Sequence, residues 1–352
     1  MPLEQNIVFD TDDLFLWEQI TTTTDTDSDE ITDRETIFDD GVQRLEAFEN
    51  GVRSTLTQFD NLDARTWAEI YGYYDQSGEL IYRETIFDDG VEKLERIENG
   101  ALLTMTQFDS SNAKTWSEIN TFYDQSGVVT FRETVLDDGI QNFEEFDSGI
   151  RTTLTQFDSL DAKAWEVIKT NYDQSGVITD RETVLDDGVQ KLEEFDSGIR
   201  TTLTQFDSLD AKTWEEIKTY YDAAGNTERR EIAYDDGVNR LEEYANGVRT
   251  LLFQEDPDDG QGGARNWQEK LNTYDTDGQL LSVGTLFDDG DTIVFNYENG
   301  ERTERIRVDG DDDQSWLLSL TTYTDMGLET VNYATPEDVP MKYFEYLDMF
   351  LG

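Results

Sequence analysis

A 49-residue internal repeat is the feature that most constrains the fold of this chain. Long near-identical strings recur at that spacing: RETIFDDG begins at Arg34 and Arg83, and RETVLDDG begins at Arg132 and Arg181. One tryptophan per repeat keeps almost the same spacing, at Trp17, Trp67, Trp116, Trp165, Trp214, Trp267 and Trp316. A period of this length is typical of architectures built from repeated supersecondary units, so the repeat determines the class of fold.

Turn signals divide each repeat into short segments. In the second copy the turns lie at residues 75–78, 88–90 and 99–100, and the segments between them are rich in Val, Ile, Thr, Phe and Tyr, which favours strands. The segment from Trp67 to Tyr74 also fits a helical spacing, but its Thr-rich counterparts in the first and last copies favour a strand. We therefore expect four antiparallel strands per repeat, from a QNIVFD strand near the start to a last strand over MKYFEYLDM.

The sequence predicts an all-β chain of seven tandem repeats that form a single domain over residues 1–352. The approximate repeat bounds are 1–51, 52–100, 101–149, 150–198, 199–247, 248–300 and 301–352. Because the terminal copies diverge, we expect them to cap an elongated open β-meander or solenoid. A seven-bladed β-propeller is the alternative, since it has the same number of four-stranded units. The tryptophans are predicted to pack in the core between repeats rather than to stack on sugars.

Composition excludes several classes of function. The chain has 80 Asp and Glu residues against 27 Lys and Arg residues, and its formal net charge is −53. This charge disfavours binding to nucleic acid and to anionic membranes. There is no cysteine and no histidine, which excludes thiol and imidazole chemistry. Carboxylates, amides, hydroxyls and backbone carbonyls remain, and these groups suit hard cations such as calcium.

Paired aspartates ahead of the tryptophans are candidate calcium ligands. The pairs are Asp60 with Asp63, Asp158 with Asp161, and Asp207 with Asp210. Two carboxylates three residues apart can converge on one cation if a turn folds between them. The other interpretation is a capped turn, in which the aspartate accepts hydrogen bonds from backbone N–H groups.

Two further acidic clusters are candidate ligand loops. They are Asp25, Asp27 and Asp29 in the first repeat, and Asp309, Asp311, Asp312 and Asp313 in the last. The first cluster matches the first half of an EF-hand loop, but the required glycine and the bidentate glutamate are replaced by Glu30 and Thr36. For both clusters the alternative is a solvated acidic loop.

Catalysis by paired carboxylates is the remaining enzymatic option. The glutamates that follow the repeated arginines occupy one repeat position, namely Glu35, Glu84, Glu133 and Glu182. A residue that is copied into successive repeats is expected to have a structural role in each repeat. We therefore expect these glutamates to form cross-strand charge pairs. An active site would be a departure from the repeat, and the large departure is the insertion at residues 256–266. The sequence therefore predicts no enzymatic activity.

The string YDQSG followed by DDG, as at residues 123–139 and 172–188, resembles the YD/Rhs-type β-hairpin repeats of bacterial secreted and surface proteins. It is similar to the β-rich repeats that accompany RTX-type secreted proteins as well. The unit is longer than the YD period, and the glycine-rich RTX nonapeptide is absent. The resemblance implies an extended all-β structural or adhesive module, with calcium as its candidate stabilising ligand and no catalytic residues.

The expected function is that of a non-enzymatic, acidic, extracellular protein with a structural, adhesive or assembly role. Its expected partners are other proteins, copies of itself, or cell-surface and polysaccharide material. One alternative is an intracellular acidic mimic of nucleic acid that binds basic proteins. The other is a propeller that binds or acts on carbohydrate.

Location is predicted from the terminal segments and the charge. No apolar N-terminal segment indicates Sec export, no run is long enough to cross a membrane, and the acidity suits type I-like export, with a cytoplasmic location as the alternative. The apolar stretch at residues 341–351 is interpreted as a capping strand rather than a secretion signal.

Overall fold

The computed structural model describes residues 2–12, 14–257, 265–311, 313–324 and 327–343. The chain divides into two compact units, Met1–Val177 and Ile178–Gly352. Apart from two short 3-10 helices near the C-terminus, the regular structure of the described residues is β-strand. The division into two units leaves the expected single domain a prediction.

The strands of the first unit follow one another at the spacing that the turn signals indicate. They are β1 (Leu3–Phe9), β2 (Trp17–Asp25), β3 (Glu30–Phe38), β4 (Val42–Glu49), β5 (Val52–Asp60), β6 (Trp67–Tyr74), β7 (Leu80–Phe87), β8 (Val91–Glu98), β9 (Ala101–Asp109), β10 (Trp116–Tyr123), β11 (Val129–Leu136), β12 (Ile140–Asp147), β13 (Ile150–Asp158) and β14 (Trp165–Tyr172).

The second unit continues the same alternation of strands and turns. Its strands are β15 (Ile178–Leu185), β16 (Val189–Asp196), β17 (Ile199–Asp207), β18 (Trp214–Tyr221), β19 (Thr227–Tyr234), β20 (Asn239–Ala245), β21 (Val248–Glu255), β22 (Trp267–Tyr274), β23 (Leu280–Phe287), β24 (Thr292–Glu298), β25 (Glu301–Val308), β26 (Leu318–Thr324) and β27 (Gly327–Tyr333). The 3-10 helices span Pro336–Asp338 and Met341–Tyr343.

Within each unit, successive strands pair antiparallel with their neighbours in sequence. This pairing holds from β1 to β14 in the first unit. It holds from β15 to β27 in the second. The prediction of an all-β antiparallel meander is confirmed, including a strand from Trp67 to Tyr74. The count of seven repeats and the choice between open array and propeller stay predictions.

Local turn chemistry explains why the chain reverses where it does. Asn50 and Gly51, between β4 and β5, have φ angles of 51° and 75°, as the two central residues of a type I′ turn require. The backbone twist of that turn matches the twist of the flanking strands, so a two-residue connection is sufficient. The same geometry recurs at Asn99 and Gly100, with φ angles of 49° and 78°.

β-Bulges are a recurring feature that the sequence analysis did not predict. Trp67 pairs with Phe87, and Glu69 pairs with Ile86, so Ala68 is an additional residue in β6. A bulge of this kind increases the local twist and changes which face a side chain occupies. Strand alternation therefore cannot be counted through the tryptophan position.

Side-chain burial is shallow in most of each unit. Strand contacts run between neighbours in sequence, and most strand side chains are half-buried on both faces of the sheet. A more complete core lies near the end of the second unit, made by Val294, Ile306, Val308, Leu318, Leu320, Val339 and Tyr343. The 3-10 segment thus covers the last strands, because Val339 and Tyr343 both contribute to this cluster.

Two predictions about packing need correction. Trp267 is buried, with 8% of its surface exposed, whereas the other six tryptophans are half-buried. Trp67, for example, opens β6 and lies opposite Phe87 at the end of β7, so its strand-end position leaves part of the indole in water. Likewise, Met341–Tyr343 form a 3-10 helix after Pro340 instead of the predicted last strand. The rest of that stretch lies outside the described residues.

Candidate functional site

The aspartates at the end of the loop-forming strands cap their own loops. The Oδ2 atoms of Asp60, Asp158 and Asp207 accept hydrogen bonds from the backbone N–H groups five residues later, at 2.6, 2.5 and 2.6 Å. Desolvation raises the pKa of Asp60, but backbone hydrogen bonds from residues 62, 64 and 65 outweigh it and hold this pKa below its usual value. These contacts are those of the capped-turn interpretation.

The second aspartates of these pairs adopt the backbone conformation that the turn requires. Asp63, Asp161 and Asp210 have φ angles of 56°, 55° and 54°, a left-handed conformation that aspartate tolerates. A metal site of three carboxylates needs ligand oxygens that lie close together. Among the described residues, none of these pairs has a third carboxylate with its oxygen within 4.8 Å of the other two. The Oδ1 atoms of Asp60, Asp158 and Asp207 are buried without a hydrogen-bond partner.

A basic residue links each of several capped loops to the preceding DDG turn. Lys212 donates a hydrogen bond to Oδ2 of Asp187 at 2.7 Å, and this bond lowers the pKa of Asp187. The same link joins Arg65 to Asp40, Lys114 to Asp89, Lys163 to Asp138 and Arg265 to Asp236. A positive charge therefore partly compensates the acidic turn in these repeats.

The first-repeat cluster forms a turn. The backbone N–H of Asp27 donates to Oδ1 of Asp25 at 2.9 Å, and the N–H of Asp29 donates to the backbone carbonyl of Asp25 at 2.8 Å. Asp29 has a φ angle of 59°. Within the described part of the chain, these three carboxylates do not form a group with the close spacing of metal ligands.

The last-repeat cluster is brought together only in part. Carboxylate oxygens of Asp309 and Asp311 lie within 4.8 Å of each other and of a carboxylate oxygen of Asp291. Asp313 instead donates its backbone N–H to Oδ1 of Asp311 at 3.2 Å, and Asp312 lies outside the described residues. Asp291 is the ligand candidate that the sequence analysis missed. The sequence does contain a signal for it. The first five DDG turns are each followed by Val or Ile, whereas the sixth is followed by Asp291.

Glutamates occupy one position of each central repeat. Four of them, Glu46, Glu95, Glu144 and Glu242, are buried, and Glu193 is half-buried. Glu144, for example, accepts hydrogen bonds from Arg132 and Arg151 at 2.6 and 2.7 Å. Desolvation raises the pKa of Glu144, but these two arginines outweigh it and lower the pKa below its usual value. The arrangement links neighbouring strands through ion pairs with a buried carboxylate.

The register corrects the prediction made for the neighbouring glutamates. Arg34 lies opposite Glu46, whereas Glu35 lies opposite Leu45, because adjacent residues of a strand point to opposite faces. Apolar residues also lie opposite Glu84, Glu133 and Glu182. Cross-strand charge pairing is therefore made by the arginines, and the prediction is wrong for the glutamates.

A row of phenylalanines crosses four neighbouring strands of the first unit. The phenylalanine row consists of Phe122, Phe131, Phe143 and Phe157, on β10 to β13. The ring centroids of successive members are 5.7, 6.2 and 5.5 Å apart. Phe122 and Phe157, at the two ends, expose 40% and 38% of their surface. Such a continuous aromatic row on an open sheet face is a candidate binding surface.

No protein-family model and no curated protein matches the chain. Among solved structures, BamB from Moraxella catarrhalis is similar at 12% identity and a TM-score of 0.12, with 94% of this chain and 99% of that chain covered. The WD40 domain of coronin from Toxoplasma gondii is similar at 9% identity and a TM-score of 0.11, covering 85% and 81%. Both scores are too low to assign a shared fold. The fold itself defines the class: this chain is a tandem β-hairpin repeat protein. No helix among the described residues is long and apolar enough to span a membrane.

Proposed function

We propose that this chain is a non-enzymatic repeat scaffold that binds other proteins, with a structural or adhesive role outside the cell. The phenylalanine row is the observation that carries the proposal. Aromatic side chains are enriched at protein interfaces, where they provide large contact areas at a low cost in conformational entropy. The strong acidity supports a salty extracellular setting, because salt screens the repulsion between carboxylates.

Charge on the same face indicates the chemistry of the partner. Glu133 lies opposite Phe143, and Glu145 lies opposite Phe131, so carboxylates alternate with the aromatic rings. The chain as a whole carries a formal net charge of −53. A polypeptide segment that alternates basic with apolar side chains complements this surface, since charge attraction speeds encounter and apolar contact provides affinity.

The net charge by itself favours a second candidate function. A chain with 80 acidic residues can capture basic proteins by charge alone, as a mimic of nucleic acid would. The two candidates differ in whether apolar contact contributes to binding. Only the scaffold needs the phenylalanine row.

Two synthetic peptides test the proposal on the full chain. One alternates arginine with leucine, and the other alternates arginine with serine. We expect the first to bind more tightly in fluorescence anisotropy, and we expect the double substitution Phe122→Ser/Phe157→Ser to weaken it about tenfold, equivalent to about 1.4 kcal/mol. The serine peptide should bind both proteins equally.

Leu281→Ser is the matched control, because Leu281 is an exposed apolar strand residue of the other unit. It should leave both affinities unchanged, and circular dichroism should show the same strand content in all proteins. If the two peptides bind equally and the phenylalanine substitutions have no effect, the scaffold proposal is wrong. Binding by charge alone, abolished at high salt, would then support the mimic.

A further inference from the structure

We propose that Asp291, Asp309 and Asp311 form a calcium site beside the β24–β25 hairpin. Asp291 immediately precedes β24, Asp309 immediately follows β25, and Asp311 lies in the next loop. The register pairs Thr292 with Val308, which brings Asp291 and Asp309 side by side. One carboxylate oxygen from each of the three residues lies within 4.8 Å of the other two.

That spacing suits a single calcium ion. Calcium binds carboxylate oxygens at about 2.3–2.6 Å, so two oxygens that share one ion lie at most about 5 Å apart. Magnesium needs shorter bonds, of about 2.0–2.1 Å, and nearly ideal octahedral geometry. Calcium tolerates irregular coordination better than magnesium, so three carboxylates from a turn and a loop suit calcium.

Asp309 provides an independent observation that a ligand is needed. Its residue surface is 3% exposed, and its Oδ2 accepts a hydrogen bond from the backbone N–H of Gln314 at 2.9 Å. Its Oδ1 is buried and has no hydrogen-bond partner. A buried, unpartnered carboxylate oxygen is costly unless a cation or donor satisfies it. A proton shared with Asp311 or a bound cation can satisfy this oxygen, but only a divalent cation also neutralises the remaining negative charge of the group.

The other contacts of the group leave room for a divalent charge. Oδ2 of Asp291 pairs with Arg307 at 3.1 Å, and its Oδ1 accepts the backbone N–H of Gly310 at 3.3 Å. Oδ1 of Asp311 accepts the backbone N–H of Asp313. Three carboxylates against the single guanidinium of Arg307 carry two surplus negative charges, which a calcium ion neutralises.

An unpartnered Oδ1 also occurs at Asp60, Asp158 and Asp207, the half-buried equivalents of Asp309. The last repeat differs from these repeats in the two additional carboxylates that join the buried aspartate. At the positions of Asp291 and Asp311, the first DDG turn and its facing loop carry Val42 and Leu62, and the side chain of Leu62 packs against Gly41. At the position of the basic residue Arg65 the last repeat has neutral Gln314. Two carboxylates thus stand in place of apolar residues, and the basic residue of the site is Arg307, at the position where the first repeat has Gln58.

Restoring the common repeat residues provides the test. The double variant Asp291→Val/Asp311→Leu carries side chains that other repeats accommodate, so it should fold. We expect calorimetric titration of the full-length protein with CaCl2, at about 0.15 M NaCl to screen diffuse attraction, to show one saturable site. That site should be lost in the double variant. Asp309→Asn, which keeps an acceptor for Gln314, should weaken it by roughly tenfold or more.

Glu228→Val/Glu301→Leu is the matched control, because it removes two exposed carboxylates from strands of the same unit. It should leave calcium affinity and stoichiometry unchanged. As a second measurement, terbium bound at the site should be sensitised by Trp316, which lies near the site because its ring contacts Arg307. Trp316→Phe should remove that emission, and added calcium should displace the terbium.

The proposal is overturned if the double variant binds calcium like the unmodified chain, or if the control variant loses binding to the same extent. Unchanged terbium emission in Trp316→Phe would likewise place the bound ion elsewhere. These results are independent of the peptide-binding test, since neither titration involves the phenylalanine row.

Discussion

At the scale of single residues, the buried glutamates show how a strongly acidic chain keeps carboxylates within its sheets. Glu242 is 2% exposed and contacts Arg240, Arg249 and the hydroxyl of Tyr244. Desolvation raises its pKa, but the hydrogen bonds from Tyr244 and the arginines outweigh this and lower the pKa below its usual value. The ionised form is therefore the one that the folded protein stabilises.

Glu242→Gln should reduce the free energy of unfolding by about 2 kcal/mol at neutral pH, because the partly exposed arginines lose their buried counter-charge. A lowered pKa means that the stabilising contribution is complete above the unfolded value, near pH 4.3, and is lost as the pH falls through the folded value. The difference between the two proteins in urea denaturation should therefore shrink as the solution is acidified below about pH 4.3.

Glu228→Gln is the matched control at an exposed glutamate of the neighbouring strand β19, and it should change stability by less than about 0.5 kcal/mol. A difference between Glu242→Gln and the unmodified chain that stays constant from neutral pH to pH 3 would contradict the assignment of a lowered pKa to Glu242.

At the scale of elements, the turns differ in what they pack against. Gly188, in a DDG turn, has a φ angle of 81°, and a Cβ at this position would lie 2.3 Å from Cγ of Leu209 in the facing loop. Gly225, in the turn before β19, has nearly the same φ angle, 82°, and nothing within 4 Å of such a Cβ. The first glycine therefore serves both backbone conformation and loop packing, and the second serves conformation alone.

Gly225→Ala should cost about 1–2 kcal/mol, the cost of a left-handed backbone for an L-residue. Gly188→Ala should cost about 1–3 kcal/mol more, because Leu209 must move. The double variant Gly188→Ala/Leu209→Ala should be less destabilised than the sum of its single changes. Thermal unfolding of the unmodified chain, the three single variants Gly225→Ala, Gly188→Ala and Leu209→Ala, and the double variant measures each contribution. Equal losses of stability for the two glycine variants would show that the contact with Leu209 does not contribute to stability.

At the scale of the whole molecule, repulsion between negative charges is the dominant electrostatic influence on stability. A formal net charge of −53 destabilises a compact state through self-repulsion, and the repeated Lys and Arg links to the DDG turns compensate only part of it. Because strands contact mainly their sequence neighbours, few side chains lie deep enough to be shielded from this field.

Raising NaCl from about 0.01 M to about 0.5 M should therefore raise the thermal midpoint, since the screening length falls from about 30 Å to about 4 Å. Sucrose at equal osmolality serves as the control for non-ionic effects. A midpoint that falls with added NaCl would contradict the dominance of repulsion. At matched ionic strength, CaCl2 should raise the midpoint further in the unmodified chain than in Asp291→Val/Asp311→Leu, because a ligand bound only by the folded state stabilises it.

The predictable part of the candidate sites was the part encoded locally. Asp309 and Asp311 were identified as ligand candidates from their proximity in sequence, and the capping role of Asp60 followed from known turn chemistry. Asp291 was missed because it lies on the other side of a hairpin from Asp309. The phenylalanine row was missed because its members belong to different strands and meet only through their register.

Apart from the predicted last strand, where Met341–Tyr343 form a 3-10 helix, the strands, their order within each unit and the positions of the turns were determined by the sequence alone. The reason is that Asn-Gly, Asp-Gly and β-branched residues act on their immediate neighbours. The tertiary structure decided which side chains meet across strands. Arg34, and not Glu35, lies opposite a charged residue of the next strand, and Asp291 lies beside Asp309. Strand register and β-bulges determine both pairs. A register depends on the summed packing of whole strands, which no single stretch of sequence specifies.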